Sequence, residues 1–326
     1  MTTLDNLRPL LLALGFYLRF ILSFTQIGYA VRRGFWRRFT PAFSGQHWLV
    51  TGGSGGIGRA LVFAGLRGGA TVTAVARNPD KLRELAAATA AAGLDGLQTE
   101  CCDFTSVADT DALIGRLATS ARHFDALMNN VGVLNDEPVV TREGFEASFV
   151  SNLLSHFQLT EGLIAAGVLR TGSVVVNVSS GGGYLFPLMT AALNVVDPQR
   201  YRGVAAYGFH KRAQMTLNQY WRERYGPQGI SCFVMHPGWA DTAGVERSLP
   251  RFRKLLRAVL RDAGSAADTA VWLAATRPAQ PSSEGIWFDR KLRPAHVYGH
   301  TRTTTETGAT LVDFLRCQLR TVRDAR

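Results

Sequence analysis

His47-Trp48-Leu49-Val50-Thr51-Gly52-Gly53-Ser54-Gly55-Gly56-Ile57-Gly58 carries a short apolar run into a glycine-rich turn, and a helical pattern follows to Arg67. Glycines at the point where a strand becomes a helix let the backbone turn sharply and approach a ligand closely. The free N–H groups and dipole of the helix N-terminus favour negative charge there. This placement, more than the number of glycines, predicts a pyrophosphate-binding turn, with Gly52, Ser54, Gly55, Gly56, Ile57 and Gly58 as its candidate residues. The spacing Thr-Gly-x-x-x-Gly-x-Gly departs from the commoner Gly-x-Gly-x-x-Gly.

Outward from this turn, β-rich apolar runs alternate with longer Ala- and Leu-rich stretches. The expected strands are His47–Thr51, Thr71–Ala76, Leu97–Cys102, Ala126–Asn129, Ser173–Val178, Ile230–Met235 and one near Ile286. Helices are expected near Gly58–Arg67, Pro79–Ala92, Val107–Ala121, Phe145–Ala166 and Ala205–Tyr225, with a C-terminal one over Ala309–Arg320 after a Thr-rich loop. That alternation builds a parallel sheet covered on both faces. The fold class is therefore α/β, a Rossmann-type doubly wound parallel sheet of about seven strands with an N-terminal hydrophobic/amphipathic helical extension. Three parts are expected: an extension over 1–44, the Rossmann domain over 45–290, and a C-terminal loop and helix over 291–326.

A chain of 326 residues with 46% hydrophobic content can bury a full core, and its formal charge of +11 suits a phosphate-bearing ligand, an anionic membrane or nucleic acid. The basic residues are scattered or N-terminal and no nucleic-acid reader motif is present, so no specific nucleic-acid partner is expected. Cys101, Cys102, Cys232 and Cys317 lack metal-site spacing and read as reduced packing residues of an intracellular protein. No metal is expected. Leu10 to Val31 is mostly apolar over 22 residues, interrupted by Arg19, Ser23, Thr25 and Gln26. A mid-span charge disfavours a lone transmembrane helix, and an interfacial or protein-packed helix competes with it. Arg32, Arg33, Arg37 and Arg38, interleaved with Phe35 and Trp36, suit anionic headgroups on the cytoplasmic side. No cleavable signal pattern is present.

Tyr207-Gly208-Phe209-His210-Lys211 opens a helix whose i,i+4 spacing sets a phenol and an ammonium one turn apart. A phenol of pKa about 10 needs nearby positive charge to work as an acid/base near neutrality, and Lys211 is expected to supply it. Val174-Val175-Val176-Asn177-Val178-Ser179-Ser180 places hydroxyls at the carboxyl edge of the sheet, where doubly wound folds bind ligands. Arg77 ends the second strand where an acidic residue would favour NAD, and offers a fork of donors for a 2′-phosphate; Arg59 is a second candidate for that contact.

The turn, Asn129-Asn130-Val131-Gly132, Asn152, the Ser180/Tyr207/Lys211 set and His236-Pro237-Gly238-Trp239-Ala240-Asp241-Thr242 occur in an order that resembles the short-chain dehydrogenases/reductases. The chain is most similar within that family to the member-twelve type of vertebrate dehydrogenase/reductase. The resemblance implies NADP (NADPH) rather than NAD, with Asp103 on the adenine side, Asn129 beside the adenosine ribose, Lys211 on the nicotinamide ribose and Thr242 on the carboxamide. It implies catalysis by Tyr207, Lys211, Ser180 and Asn152, with a water joining Asn152 to the proton relay, and a structural role for His236. Two departures stand out. Val131 replaces the family's Ala, and Ser180 and Tyr207 are 27 residues apart, leaving an insertion around Tyr184–Tyr201 beside the site. Phe186, Leu188, Met189 and Trp239 suggest an apolar small-molecule substrate: a lipid, steroid or retinoid-like carbonyl or alcohol. An alternative is a membrane-associated NADP-binding sensor or scaffold with little catalysis. The helices at Phe145–Ala166 and Ala205–Tyr225 form a homodimer seam in much of the family.

Overall fold

The computed structural model describes residues 15–120, 122–242, 246, 248, 250–279 and 284–324. Two helices, α1 over residues 15–24 and α2 (Gln26–Arg33), precede the sheet. The sheet and its crossovers then run β1 (His47–Thr51), α3 (Gly56–Arg67), β2 (Thr71–Ala76), α4 (Pro79–Ala91), β3 (Leu97–Cys101), α5 (Val107–Thr119) and β4 (Ala126–Asn129). Next comes α6, assembled from Ala147–Phe149, a π turn Val150–Leu154 and Ser155–Ala165, and then β5 (Val174–Val178). The chain continues through α7 (Gly203–Tyr225), β6 (Ser231–Met235), α8 (Pro250–Leu256), α9 (Ala263–Thr276), β7 (Gly285–Phe288), β8 (Lys291–Pro294) and α10 (Gly308–Asp324).

The strands form one sheet in the order β3-β2-β1-β4-β5-β6-β7-β8, parallel except for β8. Strand order reverses between β1 and β4, so the loops leaving their carboxyl ends diverge and open a crevice. Every residue of β5 is buried, as a strand covered on both faces requires. Asn78 caps α4, Ser106 caps α5 and Asp262 caps α9, each by side-chain acceptance of free backbone N–H groups.

Helix α8, helix α9 and strand β8 go beyond the expected set. Helix α9 is built from Ala, Gly, Ser and Thr with few large residues, so it carries little apolar periodicity, yet it packs against α3. Strand β8 returns from β7 through the two-residue turn Asp289-Arg290, with φ of 49° and 57°. That is the turn shape Asn-Gly usually announces, here made without glycine.

The apolar N-terminal run does not form one long helix. It breaks at Thr25, whose backbone is extended, and among the described residues no helix is long and apolar enough to cross a membrane. The break has a tertiary cause: the carbonyl of Phe24 accepts from Trp239 N at 2.9 Å and from Arg261 Nε at 3.0 Å, and that of Ser23 from Arg261 Nη2 at 3.1 Å. Phe16, Phe20 and Phe24, four residues apart, turn their rings inward against Tyr184, His236 and Trp239.

Helix α10 lies across the long helices α6 and α7. Leu311, Val312, Leu315 and Leu319 are buried with Phe149, Leu217 and Trp221, Phe314 meets Phe149, and Gly308 abuts Tyr220. The seam through which much of the family dimerises is thus covered by the chain's own C-terminus, and a homodimer of that kind would have to displace it. Cys102 and Cys232 are packing residues as expected, whereas Cys101 and Cys317 are exposed; all four are free thiols.

Candidate active site

Strand β5 delivers Ser179 and Ser180 to the carboxyl edge of the sheet. The Ser179 hydroxyl donates to the carbonyl of Lys211 at 3.1 Å, fastening the strand end to α7. Ser180 Oγ accepts from Gly182 N at 3.2 Å, and it and the Tyr207 ring both lie beside Gly182, each 3.7 Å from where a Cβ there would stand. One turn along α7 the ammonium of Lys211 stands 5.4 Å from the Tyr207 ring centroid and donates to Val178 O at 3.0 Å and to Gln214 Oε1 at 3.2 Å. The structure therefore brings Ser180, Tyr207 and Lys211 together. Gly208, beside the tyrosine, lets the insertion close over the helix, because a Cβ there would come within 2.2 Å of the Phe186 ring.

The electrostatics differ from the expectation in one respect. Burial raises the pKa of Tyr207, opposed by the nearby Ser180 hydroxyl, and Lys211 does not set the direction. Lys211 is itself lowered to about 7 by desolvation, which weakens it as a fixed positive charge. The phenol is held protonated, the state a proton donor needs.

Asn152 sits in the π turn of α6, an irregularity common at functional sites. Its Oδ1 accepts from Val133 N and its Nδ2 donates to Val133 O, both at 2.7 Å, clamping the segment after β4. Gln214 also joins Lys211 to Asn152: its Oε1 takes the ammonium and its Nε2 donates to Asn152 O at 2.5 Å. Gln214 was not singled out from the sequence. Its signal is its position three residues after Lys211 and seven after Tyr207, on the same helix face.

Around the glycine turn, Gly58 is indispensable, since a Cβ there would meet Gly52 O at 2.1 Å. Gly52 and Gly56 have positive φ, and Gly55 at the N-cap of α3 contributes no side-chain cap. Ser54 and Ile57 are partly buried, and Gly55 and Gly56 are exposed. Thr242 stands over this turn, 3.3 Å from where a Cβ on Gly56 would lie. Gly53 N donates to Val75 O at 3.1 Å, so the exposed Arg77 follows two residues beyond a strand end tied to the turn. Arg59 lies over Phe63 on its own helix, 5.0 Å from the ring centroid. Asp103 Oδ1 accepts from Thr105 N and Thr105 Oγ1, bracing the turn after β3.

Asn129, expected beside the adenosine ribose, turns its side chain into the sheet. It is fully buried, and Nδ2 donates to Thr160 Oγ1 and Asn177 Oδ1, both at 3.0 Å. It faces Asn177 across the β4–β5 register, and its neighbour Asn130 supports the turn instead by donating to Thr51 O. Among the residues expected to face substrate, Leu188 is in the main core and Met189 is exposed, while Phe186 packs on Phe209. Trp239, the fourth of that set, joins an aromatic wall, where it meets Tyr17, Phe24 and Phe252. His236 is structural. Its Nδ1 accepts from Gly181 N and Gly238 N while its ring lies between Phe24 and Phe288, and burial holds its pKa well below the usual value.

Two more buried imidazoles back the site. His156 is lowered to about 3 by burial and then by Lys211, against its hydrogen bond to Val131 O; His210 is lowered to about 4, chiefly by burial. Below the ordinary value of 6.5 the unfolded chain takes up protons that the folded chain refuses, so stability falls on acidification. Thermal unfolding followed from pH 7 to pH 4 should show a falling Tm, with a shallower fall in His210→Gln. Equal slopes would refute the assignment.

The short chain dehydrogenase family profile matches residues 46–251. Dehydrogenase/reductase SDR family member 12 of Bos taurus is 32% identical over 259 residues, covering 78% of this chain and 79% of its own, and the Homo sapiens protein of that name is 30% identical over the same shares. A short chain dehydrogenase of Burkholderia cenocepacia, solved in complex with NADP, shares the fold with a TM-score of 0.57 at 21% identity, covering 74% of this chain and 92% of that one. With this sheet order, this glycine turn and this profile match, the chain belongs to the short-chain dehydrogenase/reductase family of oxidoreductases.

Proposed function

We propose that this protein is an NADP-dependent oxidoreductase that interconverts a carbonyl and an alcohol on an apolar, lipid-, steroid- or retinoid-like substrate. The juxtaposition of Ser180 and Tyr207, with Lys211 one turn away, at the carboxyl edge of the sheet, carries the reading. The phosphate turn fits the cofactor: the start of α3 lacks a side-chain cap, unlike α4, α5 and α9, and Gly55 and Gly56 there are exposed.

NADPH, when bound, supplies the hydride. Ser180 Oγ holds the substrate oxygen and Tyr207 gives that oxygen its proton. Lys211 orients the nicotinamide ribose, Gln214 and Asn152 hold Lys211 and the segment after β4, and Thr242 contacts the carboxamide. Arg77 binds the 2′-phosphate, with Asp103 bounding the adenine side. In this reading residues 45–290 form the catalytic domain. Residues 15–44 of the extension and 291–324 of the tail pack on it, and the N-terminal helices meet a membrane on its cytoplasmic side.

Titration of wild type and Arg77→Ala with NADPH and NADH tests the cofactor assignment. Loss of a charge-assisted bond worth about 1.5–3 kcal/mol predicts about 10- to 100-fold weaker NADPH binding with NADH unchanged. Equal binding of both nucleotides by wild type would overturn it. Turnover is then compared between long-chain or polycyclic carbonyls and small polar ketones, and exclusive use of the latter would overturn the apolar reading. NADPH binding without turnover of any carbonyl would favour the sensor.

A further inference from the structure

We infer that the outward faces of α1, α2 and the short helix α8 form one docking platform for an anionic lipid bilayer. The inference rests on the membrane part of the reading above and is separable from its chemistry. Of the thirteen exposed large apolar side chains among the described residues, seven lie between Tyr17 and Phe35: Tyr17, Leu18, Ile21, Leu22, Ile27, Val31 and Phe35. An eighth is Leu255 on α8, 83% exposed. Helix α1 is apolar on both sides, since Phe16, Phe20 and Phe24 already satisfy its inner face. Apart from Arg19 its outer side is apolar too, and an apolar outer side requires an apolar environment beyond it.

Helix α8 is far away in sequence but joins this surface directly. Phe252 packs against Tyr17 at 5.9 Å and against Trp239 at 5.3 Å between ring centroids. Charge points to the occupant. No Asp or Glu occurs between Asp5 and Asp80, a stretch holding Arg19, Arg33, Arg37 and Arg38 besides Arg32, which is paired with Asp289, and none occurs between Glu246 and Asp262, a stretch holding Arg251, Arg253, Lys254 and Arg257. A cavity of about 300 Å³ on α8 is lined by Arg253, Lys254 and Arg257 with Pro250 and Glu246, although Arg253 is already paired with Asp241 and Glu246. Apolar side chains in two sequence-distant, acid-free segments are the signature of an interfacial element on anionic headgroups. A second copy of the chain would bring this cationic surface against itself.

Helix α1 also forms the aromatic wall beside Trp239, so a platform docked through its outer face sets that wall at the bilayer surface. An apolar substrate would enter from the lipid.

The test is flotation of the full chain with phosphatidylcholine vesicles with and without phosphatidylserine, for wild type, Leu18→Glu/Leu22→Glu and Leu255→Glu. Wild type is expected to float with phosphatidylserine vesicles, less so with phosphatidylcholine alone, and progressively less as salt rises. Each leucine substitution should weaken partitioning by about tenfold or more, from the loss of one buried Leu side chain. NADPH affinity, which these surface positions do not touch, should stay unchanged and reports an intact fold. Flotation independent of phosphatidylserine would overturn the anionic assignment. Leu255→Glu floating like wild type would remove α8 from the platform. A dimer that the substitutions dissociate, with no vesicle binding, would assign the face to a second copy.

Discussion

Tyr207→Phe should lower kcat for carbonyl reduction by about 10²- to 10⁴-fold, the range for loss of a positioned general acid, with NADPH binding unchanged. The substitution removes one oxygen and keeps the ring in its packing beside Lys211, 5.4 Å from the ammonium. Ser180 keeps its acceptor bond from Gly182 N, so the loop after β5 retains its shape. What disappears is the proton donor whose pKa burial holds high. Because that pKa is raised, wild-type reduction should decline only as alkaline pH deprotonates the phenol. Steady-state NADPH oxidation gives kcat, and nucleotide titration gives binding. A variant retaining more than about a tenth of wild-type kcat lies outside the range expected for a general acid and would move the acid role to another group.

The parts of this molecule that sequence reveals are those in which chemistry and local pattern coincide. Strands β1, β2 and β4 have the expected bounds because apolar β-rich runs end at glycine, Arg-Asn-Pro or Asn-Asn signals. Ser180, Tyr207 and Lys211 were legible because one helical turn and one strand end suffice to place them. The direction of the Asn129 side chain is not legible, because a motif does not say which side of a strand a side chain occupies. The register opposite Asn177 turns it into the core. Gln214 escaped notice because its role depends on the backbone of Asn152, 62 residues away. The hidden N-terminal contact is more remote still, since Arg261 reaches Phe24 across 237 residues and leaves no local pattern in either segment.

That contact makes Arg261→Ala the substitution with the largest expected cost in stability, about 3 kcal/mol. The guanidinium is 1% exposed and donates to both carboxylate oxygens of Asp289, at 2.7 and 2.9 Å, to the carbonyls of Ser23 and Phe24, and to that of Pro237. Removing it leaves a buried carboxylate and a helix end short of donors. Arg32, 2.5 Å from Asp289, still neutralises part of that charge, which sets the estimate at the low end of the usual range for a broken buried pair. The backbone of Arg261 also exchanges hydrogen bonds with the segment that carries Thr242: Arg261 N donates to Trp239 O, and Asp241 N donates to Arg261 O. Loosening this knot should therefore raise the KM for NADPH more than it lowers kcat. Arg261→Lys separates charge from geometry, because one ammonium cannot reproduce the fork. It should recover part of the stability in urea denaturation while leaving the NADPH KM high. If Arg261→Ala is destabilised yet keeps a wild-type KM, the N-terminal helix is only packed on the enzyme. If both change together, the extension positions the nicotinamide loop and belongs to the active site.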